Sequence, residues 1–201
     1  MNQNQLHKAG NMFGLILISL ILVISFLDQL SRHDLPCPLC LLQRIGFVAV
    51  GLCMCMNLKM GIKPSHYGLM ILSALFGLAV ALRQNFLHLT PNDPGYGHLI
   101  FGLYAYVWSA IIFTLMLIAI GGALIFERGF GENQLKINRF SVVLILVFLS
   151  LILLNGVSTL IECGTLTCKD NPVRYELLKD LSLNSLQQYE IVEVKERTCV
   201  I

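Results

Sequence analysis

The stretch Leu35-Pro36-Cys37-Pro38-Leu39-Cys40-Leu41-Leu42-Gln43-Arg44 concentrates the reactive residue types of this chain. A Cys-x-x-Cys pair can close into a small disulfide and open again, and the thiolate is its nucleophilic form. The guanidinium of Arg44 would favour that thiolate. If the residues from Cys40 onward are helical, positions i and i+4 share a face, and the helix start adds its own preference for negative charge. Pro38 removes a backbone donor and stiffens the turn between the sulfurs. The expected chemistry is electron exchange with another disulfide or with a lipid-soluble acceptor. Two duller roles compete. A static disulfide this short closes little chain and gains little entropy. A zinc site would need two more ligands, which Cys163 and Cys168 could supply.

Cys163 and Cys168 form the second close pair. With Gly164 between them they could close a flexible disulfide loop exposed to a soluble partner, or a clasp tying the tail to the rest. Two close pairs in polar flanks read as redox-active or metal-binding rather than as a structural framework. No His stands at finger-like spacing, and no metal site is expected. Cys53 and Cys55 lie in an apolar run, where a thiol behaves as a small apolar group. Cys199 has no visible partner and receives no role. Arg83, Gln84 and His88 close another apolar run; polar groups at such depth are functional candidates, able to hydrogen-bond a quinone carbonyl or simply to anchor a helix. His33, His66 and His98 read as solvated loop residues. Asn155 and Ser158 are candidates for hydrogen bonds between helices.

The elements that must position these residues are set by hydropathy. The chain has 201 residues, 56% hydrophobic and 13% charged, with a mean hydropathy of +0.72. Soluble domains carry about 25% charged residues, so lipid replaces water over much of this surface. A net charge of +2 with no basic patch among aromatics argues against nucleic acid. Five apolar runs approach the roughly 20 residues that cross a bilayer as a helix: 12–27, with a charge-free window from Ala9, then 39–58, 66–82, 99–126 and 140–161. The first is expected to be a retained span, since no small-x-small cleavage site follows it before the cysteines. Polar loops fall at 28–36, 59–65, 85–98 and 127–139, the third dense in turn residues. Tyr104, Tyr106 and Trp108 suit an aromatic belt. The expectation is an all-α integral membrane protein: a bundle of five transmembrane helices over residues 1–161 and a polar tail, 162–201, with a helix from Pro172 to about Leu183.

Lys and Arg set the orientation. Lys8, Lys59, Lys63, Arg128, Lys136 and Arg139 lie on one side; Arg32, Arg44 and Arg83 border the other. The basic side should be cytoplasmic, which puts the N-terminus inside and both cysteine pairs outside. In a bacterium that outer side is the oxidising periplasm, where disulfides persist.

At Cys-Pro-Leu-Cys-Leu-Leu-Gln-Arg the chain resembles the disulfide bond formation protein B (DsbB) family, which carries Cys-x-x-Cys and Arg at the same offset where its second span begins. Leu82-Arg83-Gln84-Asn85-Phe86-Leu87-His88-Leu89-Thr90-Pro91 is similar to the family's exit from span three. The resemblance covers about residues 10–125. It implies a multi-pass protein of the bacterial inner membrane that reoxidises a periplasmic DsbA-type thioredoxin-fold oxidase and passes the electrons to ubiquinone or menaquinone. Carried over, Cys37–Cys40 faces quinone, Cys40 is the thiolate beside it and Arg44 supports it. The best-known members have four spans and place a second cysteine pair between spans three and four. Here that loop has no cysteine, and Cys163–Cys168 after an added fifth span is the candidate replacement; the chain looks like a five-span branch. The alternatives are a thiol relay supplying reductant, a metal-binding or assembly protein, and a vitamin K epoxide reductase type, whose Cys-x-x-Cys comes late in the bundle.

Overall fold

The structure is a computed structural model that describes residues 3–32, 36–90, 95–97, 99–125, 138–163 and 168. Its elements in chain order are α1 (Gln3–Arg32), α2 (Pro38–Met60), α3 (Pro64–Leu87), β1 (Leu99–Ile100), β2 (Leu103–Tyr104), α4 (Ala105–Ile125) and α5 (Arg139–Cys163). All five helices are long and apolar enough to cross a membrane, so the chain is a multi-pass membrane bundle. The rest of the tail lies outside the described residues, as do His33, His98, Cys199 and the helix expected from Pro172.

The helices outrun the apolar windows. α1 passes Asp28 and continues to Arg32, where the sequence suggested a loop from residue 28. A single charge at the membrane edge does not stop a helix, because the backbone gains its hydrogen bonds regardless of that side chain. α3 likewise runs on to Leu87, so Arg83 and Gln84 lie within a helix. The fourth span begins at Ala105 rather than Leu99. The residues between form an antiparallel hairpin pairing Leu99 with Tyr104 and Ile100 with Leu103. Its two turn residues, Phe101 and Gly102, both have positive φ, at 51° and 81°, as a type I′ turn requires.

α2 is the central helix, packed against α1, α3 and α5, while α4 closes on α3. Small residues set the close approaches. A Cβ on Gly46 would lie 2.9 Å from the Cα of Gly77, and one on Gly77 would enter the ring of Phe113. Phe113 in turn stacks on Phe47 at 4.2 Å between centroids. Close backbone approach through small residues is the usual way membrane helices gain packing contacts without a hydrophobic driving force between them. Cys53 and Cys55 are buried in this core.

At the end of the bundle opposite the cysteines, a buried polar network ties three helices. Asn57 Nδ2 donates to Asn11 Oδ1 at 3.0 Å, His66 Nδ1 lies 2.9 Å from Asn57 Oδ1, and His7 Nδ1 lies 2.9 Å from the Tyr67 hydroxyl. His66 is therefore not the solvated loop residue expected from the sequence. It is buried within α3, and its partner Asn57 makes that burial tolerable, since a buried polar group must be hydrogen-bonded.

Candidate redox site at the cysteine end

The Cys-x-x-Cys pair forms the start of α2. Cys37 is the N-cap, with extended backbone (φ −68°, ψ 161°), and its sulfur accepts the backbone N–H of Cys40 at 3.2 Å. Pro38 takes the first helical position, where a missing N–H costs nothing. Cys40 thus falls in the first turn, where unpaired N–H groups favour an anion. The two sulfurs lie 2.7 Å apart and both are free. The Cys37 thiol is pushed far above its ordinary range, first by the hydrogen it shares with the Cys40 sulfur and then by burial. Of the two sulfurs, Cys40 is the one that lies within the first helical turn and one turn before Arg44, the position that favours negative charge.

Gln84 reaches this pair from α3. It is 1% exposed, and its Nε2 donates to Cys37 Sγ at 3.3 Å and to Cys40 Sγ at 3.5 Å. Gln43 Nε2 donates to Gln84 Oε1 at 2.7 Å. That bond holds the amide with its nitrogen toward the sulfurs. Hydrogen bonds to a charged acceptor contribute about 1.5–3 kcal/mol. Gln84→Leu should accordingly slow alkylation of Cys40 at neutral pH by about tenfold or more, read as iodoacetamide labelling by peptide mass spectrometry. An unchanged rate would remove Gln84 from the sulfur environment.

Arg44 lies one turn after Cys40 and turns toward α1. Its guanidinium donates to Gln29 Oε1 and to the carbonyl oxygen of Ser25, each at 3.0 Å. Gln29 also donates through Nε2 to Ser158 Oγ at 3.0 Å and to Glu162 Oε2 at 3.4 Å, both on α5. A polar chain therefore runs from α2 through α1 to the end of α5. Cys163, the next residue, is bonded to Cys168 as a disulfide with 4.5 Å between the Cα atoms. Both cysteine pairs sit at the same end of the bundle.

The predicted site residues divide as follows. Cys37, Cys40 and Gln84 are in mutual contact, with Arg44 one turn away. Arg83 is exposed, and His88 is half-buried and stacked on Tyr106 at 5.3 Å, one ring removed from the cleft described next. Ser158 joins the polar chain, whereas Asn155 donates within its own helix to Leu151 O at 2.9 Å. Among the described residues no group of three or more His, Cys, Asp or Glu is placed to hold a metal ion. Sequence reasoning missed Ser25, Gln29, Gln43 and Glu162. For Gln43 a signal existed, since it sits beside Arg44 in an otherwise apolar run; for the other three the sequence offered none.

Beside Cys40 opens a cleft of about 230 Å³, lined by Ser25, Gln29, Cys40, Gln43, Arg44, Phe47, Tyr106 and Trp108 among others. Trp108 Nε1 donates to Ile100 O at 2.8 Å, which fixes the hairpin over the cleft. Ile21, Ile24 and Ile112 are shared with a second, almost wholly apolar groove of about 990 Å³, bordered by α1 and α4 and extending to His7 at the far end.

Residues 7–98 match the family model for disulfide bond formation protein DsbB. Over that region, a little under half of the chain, it is similar to the DsbB family. It is 51% identical over 70 residues to disulfide bond formation protein B of Chromobacterium violaceum, covering 32% of this chain and 42% of that protein. It is 37% identical over 90 residues to the protein of the same name from Marinobacter nauticus, covering 40% and 52%. The chain thus spans about half the length of the curated relatives it matches. No solved structure matches it. The DsbB match takes in Cys37, Cys40, Arg44, Gln84 and His88 and ends before α4, so Glu162 and the second cysteine pair lie beyond it.

Proposed function

We propose that this chain is a quinone-dependent dithiol oxidase of the bacterial inner membrane. In this reading it reoxidises a periplasmic thioredoxin-fold oxidase of the DsbA type and thereby supports disulfide formation in other proteins. One observation carries the proposal: a Cys-x-x-Cys pair at a helix N-terminus, with Gln84 on its sulfurs and Arg44 one turn on, borders a cleft that shares Ile21, Ile24 and Ile112 with a larger apolar groove. The match of residues 7–98 to the DsbB family model supports it.

The cleft fits a quinone by its donor set and its shape. A quinone ring presents carbonyl acceptors, and Arg44 carries five N–H donors of which two are used within the bundle. An isoprenoid tail needs an apolar path, which the α1–α4 groove supplies. Arg44, Gln43 and Trp108 would hold the head and Ile21, Ile24 and Ile112 the start of the tail. When bound, the quinone supplies an acceptor for two electrons and two protons.

The protein's own part is thiol–disulfide exchange. A thiolate of the reduced partner attacks the Cys163–Cys168 disulfide through a mixed disulfide, and a second exchange releases the oxidised partner and leaves two thiols in the chain. Those thiols reduce the Cys37–Cys40 disulfide. The leaving sulfur in this scheme is Cys40, because the helix start and Arg44, one turn on, favour negative charge there. With the N-terminus cytoplasmic, as the Lys and Arg distribution suggests, both pairs face the periplasm.

Arg44→Met tests the site with little change of volume. Losing one partner of a buried charged group costs about 3–5 kcal/mol, or roughly 10²–10⁴-fold. Quinone reduction by the purified chain should lose about that much in kcat/KM, with the KM for quinone raised. An unaltered quinone dependence would take Arg44 out of the site.

A further inference from the structure

Arg44 is approached by acidic groups from two sides. On its own helix lies Cys40. From α5 comes Glu162, separated from the guanidinium only by the amide of Gln29. Glu162 is 2% exposed, and among the described residues its Oε1 has no hydrogen-bond partner. Arg44 interacts electrostatically with Cys40 and Glu162 and, more weakly, with Asp28. The other titratable or charged groups at this end, among the described residues, include Cys37 on α2, Asp28 on α1, Tyr96 before the hairpin and Tyr106 on α4, with His88 behind Tyr106 and Arg83 facing outward on α3. Among the described residues lining the cleft, Arg44 is the one cation.

A buried unpaired charge is expensive, and one buried cation compensates one anion well. A Cys40 thiolate and a Glu162 carboxylate would compete for the same guanidinium. We propose that Glu162 holds the second proton of the Cys37–Cys40 redox cycle, taking it up when Cys40 becomes a thiolate and releasing it when the disulfide re-forms. This rests on the reading of Cys37–Cys40 as the redox-active pair.

The balance closes. A dithiol donor forms one S–S bond and gives up two electrons and two protons. The Cys37–Cys40 bond breaks and accepts both electrons. Cys37 takes one proton and becomes a thiol, Cys40 remains a thiolate beside Arg44, and Glu162 takes the other proton. Its Oε1, which has no hydrogen-bond partner among the described residues, is the atom that takes it. Reoxidation by a two-electron acceptor of the quinone class reverses each step, and Cys37 and Glu162 each release the proton that acceptor consumes. Glu162 is thus a positioning residue that acts through Arg44 and Gln29 rather than on the sulfurs.

The test uses the full-length oxidised chain in lipid nanodiscs, reduced anaerobically with dithiothreitol. Proton release is read with an indicator dye, and carboxyl protonation by infrared difference spectroscopy. Glu162→Gln should release one proton more per molecule than wild type, Glu162→Asp should match wild type, and Asp28→Asn should leave the count unchanged. Reduction of wild type should raise a protonated-carboxyl band that Glu162→Gln lacks. Equal proton release by wild type and Glu162→Gln overturns the inference, as does an extra proton from Asp28→Asn instead. Should the Gln variant not fold, the absence of a carboxyl band on reduction of wild type overturns it alone. If Cys37–Cys40 of wild type is not reduced by a dithiol at all, the redox reading fails and takes this inference with it.

Discussion

Cys40→Ser should abolish quinone reduction, down to the rate of the quinone with free dithiol. The substitution nearly preserves volume and leaves α2, Gln84 and Arg44 in place, but a hydroxyl at this position neither forms a disulfide nor gives up its proton near neutral pH. Cys37→Ser should abolish it as well, and here the structure removes the usual alternative explanation. Cys37 caps α2 through its sulfur, and serine is among the best N-cap residues. The helix start survives the change while the disulfide does not. The two variants differ in what remains. Cys40→Ser leaves the protonated thiol of Cys37, whereas Cys37→Ser leaves the charged sulfur beside Arg44, so Cys37→Ser should alkylate much the faster of the two. Retained turnover in either would place the electron path elsewhere.

The Cys163→Ser/Cys168→Ser double variant separates the two pairs. Turnover driven by a reduced thioredoxin-fold partner should fall to background, since the route into the bundle is gone. Turnover driven by a small dithiol, which needs no docking, should persist at a substantial fraction of wild type. The measurement is quinone absorbance loss with each reductant in turn. If the protein partner still drives the variant, it reaches Cys37–Cys40 directly, and the disulfide at the end of α5 is a clasp.

Much of this site was legible in the sequence because its parts are local. Cys37, Pro38, Cys40 and Arg44 lie within eight residues, and cap, first-turn proline and i+4 partner follow from helix geometry alone. Gln84 was visible as a polar residue closing an apolar run, although nothing in the sequence tied it to the sulfurs rather than to Arg83 or His88. Five spans could be counted from hydropathy for the same reason: lipid demands long apolar runs.

What the sequence hid depends on contacts between distant elements. Glu162 opened a stretch of ordinary soluble composition and so read as the first residue of the tail, yet α5 carries it inward to Gln29, 133 positions away. Gln29 itself fell in an expected loop, because Asp28 looked like the end of a span. The hairpin at 99–104 escaped notice because strands of two residues are too short to show a period and its side chains are as apolar as those of a span. His66 looked solvated for want of Asn57, whose amide oxygen is 2.9 Å from its ring.

The central claim is that the Cys37–Cys40 pair passes its electrons to quinone, and it can be measured without any partner protein. The Cys163→Ser/Cys168→Ser variant would be reduced with a small dithiol, freed of excess reductant and mixed anaerobically with ubiquinone or menaquinone in nanodiscs. Quinone reduced and the closing of Cys37–Cys40 would be counted together. The account predicts one quinone reduced for each Cys37–Cys40 disulfide formed, and none when Cys40 is also replaced by serine. Thiols that stay reduced in the presence of quinone, or quinone consumed equally without Cys40, would contradict it.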